Sequence, residues 1–174
     1  MKPHPLILAT LCAISVFARA EVSPISIRVE QTTGVDREKF KKTQEKALKI
    51  FVTNGSAADI NNLTVKYFFF GHSVKDHEAE ILEKGERTAS VKARMTETVE
   101  TPVVKASSTE AHSEAKKGKG QNAKKGNQAG KKVAATGEKL TGYGVQVFES
   151  GKLLADYFSE PSLREKAGGG DRRK

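Results

Sequence analysis

The stretch Tyr143-Gly144-Val145-Gln146-Val147-Phe148-Glu149-Ser150-Gly151-Lys152-Leu153-Leu154-Ala155-Asp156-Tyr157-Phe158 decides the fold. Apolar residues alternate on both sides of Ser150-Gly151, which offers a turn residue and a position that tolerates positive φ. The alternating sets are Tyr143, Val145 and Val147 on the first strand and Leu153, Ala155 and Tyr157 on the second. The stretch therefore predicts a β-hairpin with one face to bury. Because a two-stranded ribbon is not stable alone, strands upstream must cover that face.

Short alternating segments upstream predict those strands. They lie at Ile25–Val29, Leu48–Val52, Leu63–Phe70, Thr88–Met95 and Thr96–Val104. The most apolar of them places Phe68 and Phe70 on a second face, where they form a contact patch or, as we favour, are covered by the chain's own loops. We expect the charged segment 36–46 to be extended or a loop, while 72–84 fits a helical turn and an edge strand equally. Together with the hairpin, this pattern predicts an all-β, antiparallel sandwich of about seven strands in one domain.

An apolar run near the start of the chain has the features of a secretory signal peptide. Lys2 precedes the run Leu6–Phe17, and Ala18-Arg19-Ala20 has the small-x-small pattern of a cleavage site. The run is shorter than the roughly 20 apolar residues that cross a bilayer. Cleavage after Ala20 removes Cys12, the sole cysteine. We predict that residues 1–20 are a signal peptide, that the protein is exported to the periplasm, the outer-membrane surface or the exterior, and that no transmembrane segment follows.

A basic, polar insertion separates the upstream strands from the hairpin. The full chain has 30 Lys+Arg and 21 Asp+Glu; loss of Lys2 and Arg19 with the signal peptide leaves 28 against 21, a net charge of +7. Ser107–Gly137 contains seven lysines, two glutamates and no aromatic residue, a net charge of +5 with His112 neutral. The lysines are Lys116, Lys117, Lys119, Lys124, Lys125, Lys131 and Lys132. This composition predicts disorder for 107–137, inside a domain that spans 21–167, and for the tail 168–174.

The seven lysines of this insertion are the candidate polyanion-binding residues. A flexible polycation attracts polyanions through counterion release, and outside the cell these are mucin-type glycans, lipopolysaccharide phosphates or DNA. The alternative is a solvated loop whose lysines only maintain solubility. Aromatic residues that would stack on bases are absent from the insertion, which argues against a dedicated nucleic-acid role.

The motifs that would indicate catalysis are not found in the sequence. His72, Asp76, His77 and Glu78 are the one cluster with metal-ligand chemistry, and their spacing matches no regular site, which favours a solvated polar loop. No serine lies in a Gly-x-Ser-x-Gly elbow, and no cysteine remains after the signal peptide. We therefore predict no catalytic residues, no cofactor and no metal, and a protein that is not an enzyme.

Two resemblances extend these predictions. Leu140-Thr141-Gly142-Tyr143-Gly144-Val145 looks like the penultimate strand of an immunoglobulin-like domain, in which Tyr143 would form a tyrosine corner by bonding back to the main chain. Tyr143 fits an ordinary strand aromatic equally well. The chain as a whole resembles small secreted β-sandwich proteins of Verrucomicrobia of the Akkermansia type. Some of these are linked to type IV pilus-like gene clusters. The resemblance rests on Leu48–Asn54, Leu63–Phe70 and Tyr143–Phe148.

The resemblance implies an immunoglobulin-like sandwich that serves as an accessory or surface component. A polymerising pilin keeps its apolar helix, whereas here the apolar run precedes the cleavage site. Our leading hypothesis is protein–protein contact in a cell-envelope or surface assembly, through exposed strand edges or an aromatic patch, with envelope proteins or a second copy as partners. The alternative hypothesis is binding of anionic glycans or lipopolysaccharide through the basic loop.

Overall fold

The computed structural model of this protein describes residues 23–114 and 131–168. In these ranges the chain forms ten strands and one short helix. The strands are β1 (Ile25–Glu38), β2 (Lys41–Asn54), β3 (Ile60–Ser73), β4 (Glu80–Val91), β5 (Thr96–Glu100), β6 (Val104–Thr109), β7 (His112–Glu114), β8 (Lys131–Val133), β9 (Thr136–Glu149) and β10 (Lys152–Phe158), and the helix is α1 (Leu163–Ala167). The predicted signal peptide, Lys116 to Lys125 of the insertion and residues 169–174 of the predicted tail lie outside the described residues.

Two antiparallel layers make up the fold. In the first layer, β1 pairs with one edge of β2, while β5 and β6 follow one another along the other edge. The second layer has the order β4-β3-β9-β10. The layers are continuous at one corner, because β6 pairs with the start of β9 through Ser108 opposite Gly137 and Thr109 opposite Thr136. The predicted all-β antiparallel sandwich is confirmed.

The hairpin of β1 and β2 is much longer than the alternating patterns indicate. Its register is unbroken from Ile25 opposite Asn54 to Glu38 opposite Lys41. The charged segment 36–46 is thus extended, one of the two conformations expected for it. Its backbone pairing is supported by β6, which lies against residues 41–46 on the other edge of β2. We call residues 31–46 the arm.

The core lies between the layers and is built from alternate residues. In β2, Leu48, Ile50 and Val52 are buried and belong to the same cluster as residues from β3, β4 and β9. Apolar side chains that are almost entirely buried include Phe69, Phe70, Leu48, Ile50, Leu63, Val52, Val65, Val91, Val145 and Val147. Strict alternation along β2 sends the intervening residues to the opposite face of the sheet. The side of every residue in the arm follows from this alternation.

Phe68 and Phe70 lie on the outer face of the second layer and are covered by the chain itself. Phe70 is fully buried and Phe68 is 6% exposed, beneath Leu163 of α1 and a neighbouring cluster with Phe158 and Ile81. Coverage by the chain's own segments is therefore the correct alternative, and the aromatic contact patch does not exist. No pattern in the sequence predicts α1, which supplies this cover.

The closing hairpin forms as predicted, except that part of the return strand faces the opposite side of the sheet. Ser150 and Gly151 form the turn, both with positive φ (49° and 84°). The return strand, however, shifts register between Leu153 and Ala155. This bulge places Leu153 opposite Phe148 and breaks the alternation, so that Leu153 is exposed instead of buried. The predicted inward face of β10 is therefore wrong for Leu153, whereas Tyr157 keeps its predicted side, opposite Val145, and is partly exposed because β10 is an edge strand of the described sheet.

The composition predicts disorder for the whole of 107–137, but the described ends of this segment form strands. Residues 107–109 belong to β6, β7 pairs with β8, and β9 begins at Thr136. Both ends of the insertion are therefore antiparallel ribbon, in which β7 and β8 continue the hairpin of β6 and β9. Low hydrophobicity did not prevent pairing because the ribbon grows from strands already fixed in the sandwich. We call β7 and β8 the insertion ribbon.

Candidate binding surfaces at the arm

The second half of β1 is a sheet edge that no described strand covers. Ile25, Ile27 and Val29 pack on the core, but from Gln31 to Glu38 every residue except Gly34 is exposed. On its inner edge this segment pairs with β2, and within residues 23–114 and 131–168 no strand pairs with its outer edge. Its outer N–H and C=O groups are therefore presented to solvent.

This edge lacks the features that usually prevent strands from adding to a sheet. Natural edge strands are protected by charges, prolines or bulges. Between Gln31 and Val35 the edge has none of these, and its register with β2 is regular. Val35 adds an exposed apolar side chain, 51% accessible. Arg37 and the acids on either side of it lie beyond this segment. The five uncharged residues are thus suited to main-chain pairing with another strand.

The insertion ribbon lies against the tip of the arm. The ring of His112 stacks on Phe40, with centroids 4.0 Å apart and planes within 4° of parallel. The amide of Glu110 donates a hydrogen bond to the Phe40 carbonyl oxygen at 2.8 Å. Of the predicted polyanion-binding lysines, Lys132 is exposed on β8 and Lys131 begins that strand. These contacts bring the described end of the basic insertion close to the tip of the arm.

One lysine of the arm is buried, which the sequence pattern does not predict. Lys46 is 8% exposed, and desolvation lowers its pKa from the ordinary value of 10.5. The alternation of β2 places Lys46 on the same side as the core residues. Its burial, however, depends on β6, which lies opposite it at Val104. Within the described part of the chain, its side chain forms no hydrogen bond or ion pair.

The four residues with metal-ligand chemistry, for which a solvated polar loop was favoured, are brought only partly together. The rings of His72 and His77 meet edge to face, with centroids 5.3 Å apart. Asp76 Oδ1 accepts the Glu78 amide at 3.0 Å, and Lys166 pairs with the Glu78 carboxylate at 3.0 Å. No group of three potential ligands suited to a metal occurs within the described ranges. The observed contacts are those of a polar loop tied to α1.

Tyr143 has different contacts from those of a tyrosine corner. Its ring stacks on Tyr157 of β10, with centroids 6.1 Å apart. Burial, and secondly the neighbouring Tyr157 hydroxyl, raise the pKa of Tyr143. Its main chain exchanges hydrogen bonds with Ser159. The adjacent Gly142 and Gly144 have a packing role, because a Cβ atom there would collide with Leu163 and Phe158 respectively.

Comparison with known proteins gives several distant structural likenesses, two of which are described below. Neither a protein-family model nor a curated protein matches the chain. The X-ray structure of Northeast Structural Genomics Consortium target SoR45 is similar at 10% identity and a TM-score of 0.37, covering 82% of this chain and 91% of that one. A crystal structure from Akkermansia muciniphila is similar at 15% identity and a TM-score of 0.30, covering 84% and 77%. Likenesses at these TM-scores carry no argument about function.

No helix within residues 23–114 and 131–168 has the length and apolar character needed to cross a membrane.

Proposed function

We propose that this protein is an exported, non-catalytic, immunoglobulin-like sandwich that acts by protein–protein contact in a cell-envelope or surface assembly. The observation that supports this is the uncharged, uncovered edge of β1 from Gln31 to Val35. A strand from an envelope protein adds to this edge through main-chain hydrogen bonds, while Val35 packs against the partner. Export by the predicted signal peptide is tested by sequencing the N-terminus of the secreted chain, which is expected to begin at Glu21.

Position-specific crosslinking tests the edge contact. A photoreactive amino acid at position 35 is expected to crosslink a partner or a second copy in intact cells, whereas the same residue at position 95 is not. Met95 is the matched control, because it is exposed to a similar extent, 57% against 51% for Val35, and lies beside Asn54 at the opposite end of the β1–β2 hairpin.

A charge placed on the edge provides the second half of the test. Val35→Lys is expected to abolish the crosslinked product or the oligomer measured by light scattering, since an edge lysine opposes strand addition. Met95→Lys is expected to leave both unchanged. A strictly monomeric protein whose position 35 crosslinks to nothing would contradict the proposal.

A second candidate function is binding of anionic glycans or lipopolysaccharide through the basic insertion. It is favoured by the stack of His112 on Phe40, which holds the insertion ribbon and its exposed Lys132 against the tip of the arm. Replacing residues 115–130 with an Asn-Gly turn removes five of the seven candidate lysines and leaves β7 and β8 in place. This variant is expected to elute from immobilised heparin at a lower salt concentration than the parent protein. Unchanged retention would eliminate this role for the insertion.

A further inference from the structure

The arm carries its charges unequally on its two sides. Alternation places Lys42, Gln44 and Lys46 on the same side of β2 as the core residues. Opposite them stand Arg37, Val35 and Thr33 on β1, and Ser108, Ala106 and Val104 on β6. We call this the inner side of the arm. Across these nine positions of β1, β2 and β6 there are three cations and no carboxylate.

The outer side of the arm, by contrast, combines acids and bases. The Glu45 carboxylate pairs with Lys105 at 2.6 Å. Next to this pair, the hydroxyls of Thr43 and Ser107 are 3.1 Å apart. The same alternation puts the remaining acids of the arm, Asp36 and Glu38, on this side as well. The acids of the arm therefore do not face the inner cations.

The inner cations form no ion pair with any carboxylate of the described residues. Arg37 and Lys42 stand directly opposite each other, and like charges in that position destabilise a strand pair. Within the described ranges, no side-chain hydrogen bond or ion pair involves Arg37, Lys42 or Lys46. The Lys46 ammonium nonetheless reaches solvent, because no side-chain nitrogen of the described chain is both shut off and unpartnered. A bound anion would relieve this arrangement.

The spacing of these cations indicates the shape of the anion. Opposite residues in an antiparallel pair have Cα atoms about 5 Å apart, so Arg37 and Lys42 can hold one anionic group between them. A strand rises about 3.4 Å per residue, which places Lys46 roughly 14 Å along the strand from Lys42. A small anion cannot span that distance, whereas a linear polymer with repeated anionic groups can.

We propose that the inner side of the arm binds an acidic polysaccharide, with one carboxylate or sulfate group held by Arg37 and Lys42 and another held by Lys46. The Arg37 guanidinium supplies a planar fork that matches such groups. Single-stranded nucleic acid is disfavoured because the aromatic ring of the arm, Phe40, is already stacked on His112 and approached by Lys39. The inference rests on the second candidate function and deepens it, adding a fixed site to the basic insertion.

Two double variants with equal loss of charge test the site. Arg37→Gln with Lys42→Gln removes the inner cations, and Lys39→Gln with Lys41→Gln removes two exposed cations of the same arm as the control. Both are prepared in the full chain and in the chain lacking 115–130, and calorimetry measures binding to heparin and to hyaluronan. The Arg37→Gln, Lys42→Gln variant is expected to weaken binding roughly tenfold or more, both in the full chain and in the chain lacking 115–130. The control pair is expected to change it less than about threefold.

Lysine footprinting by acetylation and mass spectrometry supplies a readout that does not depend on a variant. Heparin is expected to protect Lys42 and Lys46, while Lys41 and Lys49, on the other face of β2, stay reactive. Circular dichroism confirms that each variant is folded before binding is measured.

The possible results separate the fixed site from the basic insertion. Equal losses for the two double variants, or no protection of Lys42 and Lys46, would show binding by bulk charge and overturn the inference. Another outcome is that removal of 115–130 abolishes binding while the Arg37→Gln, Lys42→Gln variant binds normally. That result would support the second candidate function and contradict the fixed site. Absence of binding to either polymer overturns both. Duplex DNA that binds as tightly as heparin, with the same dependence on Arg37 and Lys42, would overturn the assignment to a polysaccharide.

Discussion

Asn54 organises the end of the sandwich that lies opposite the tip of the arm. Its side chain is fully buried at the end of β2. The amide nitrogen donates to the carbonyl oxygens of Ala58, Val91 and Lys92 at 2.8, 3.2 and 3.3 Å, and the amide oxygen accepts from the amide and the hydroxyl of Ser56 at 2.9 and 2.7 Å. One side chain thus connects its own turn to the turn between β4 and β5. The residues Asn54-Gly55-Ser56 are a strong turn signal in the sequence, but this signal does not predict the network.

Replacing Asn54 is expected to destabilise the fold severely. Asn54→Ala leaves several buried main-chain groups without partners, at a cost of about 3 kcal/mol in the free energy of unfolding. Urea denaturation followed by circular dichroism measures the change. Asn61→Ala, at an exposed position of β3, is the control and is expected to change stability by less than about 0.5 kcal/mol. Equal midpoints for the two variants would show that the Asn54 network contributes nothing.

Lys46 gives the stability of the protein a defined dependence on pH. Its pKa is lowered in the folded state, so between that value and 10.5 the unfolded chain binds more protons and stability rises with pH. At neutral pH the full cost of burying the charge is present. Lys46→Met is therefore expected to raise the melting temperature at pH 7, by a margin that narrows as the pH approaches 10.5.

The control for this prediction is Lys49→Met, because Lys49 is exposed on the other face of β2. That variant is expected to show no pH-dependent gain. Thermal melts of both variants and the parent protein between pH 7 and pH 10 measure the difference. A lower melting temperature for Lys46→Met at pH 7 would mean that the ammonium is stabilised by a charge in the folded protein.

At the scale of elements, α1 shows what local patterns could not reveal. Five residues are too few to produce a helical period, so Leu163–Ala167 gave no recognisable pattern. The helix is specified by packing, since Leu163 covers the outward-facing Phe70 and sits above Gly142. The sequence did show that Phe68 and Phe70 needed cover. It could not show which segment provided it, because that segment is distant in the chain.

Removing the cover supplied by α1 is expected to destabilise the second layer. Leu163→Ala deletes a side chain that is 3% exposed and should cost about 2–4 kcal/mol, because a cavity opens over Phe70. Leu153→Ala is the matched control, since Leu153 is 45% exposed on β10 and should cost less than about 1 kcal/mol. Chemical denaturation of both variants is the measurement. A cost for Leu163→Ala no greater than that of the control would contradict the role of the helix.

For the whole molecule, the limit of sequence reasoning was pairing between distant strands. Alternation correctly predicted most strands and the closing turn at Ser150-Gly151, because these depend on neighbouring residues. The inner cations Arg37, Lys42 and Lys46 came together only through the register of β1 with β2 and of β2 with β6. The ends of the insertion also depend on pairing between distant strands. Its composition indicates disorder, but both ends are held by strands of the two layers.

The corner where β6 meets β9 leads to a prediction about the molecule as a whole. Replacing residues 115–130 with an Asn-Gly turn preserves the insertion ribbon, and a shorter loop costs less closure entropy, so stability is expected to stay within about 1 kcal/mol of the parent protein. Deleting 107–137 instead removes the end of β6 and the start of β9, including the pairing of Ser108 with Gly137. The two layers then lose their continuous corner, and Thr43 loses its Ser107 partner.

We expect this longer deletion to lower the melting temperature sharply or to prevent folding. Comparing thermal melts of the two deletions isolates the contribution of the corner, because both remove the same central lysines. If the two proteins melt together, the insertion is an appendage and the layers are held by the core alone. If only the longer deletion unfolds, the basic insertion is built into the sandwich, and its position beside the arm is fixed by the same strands that join the two layers.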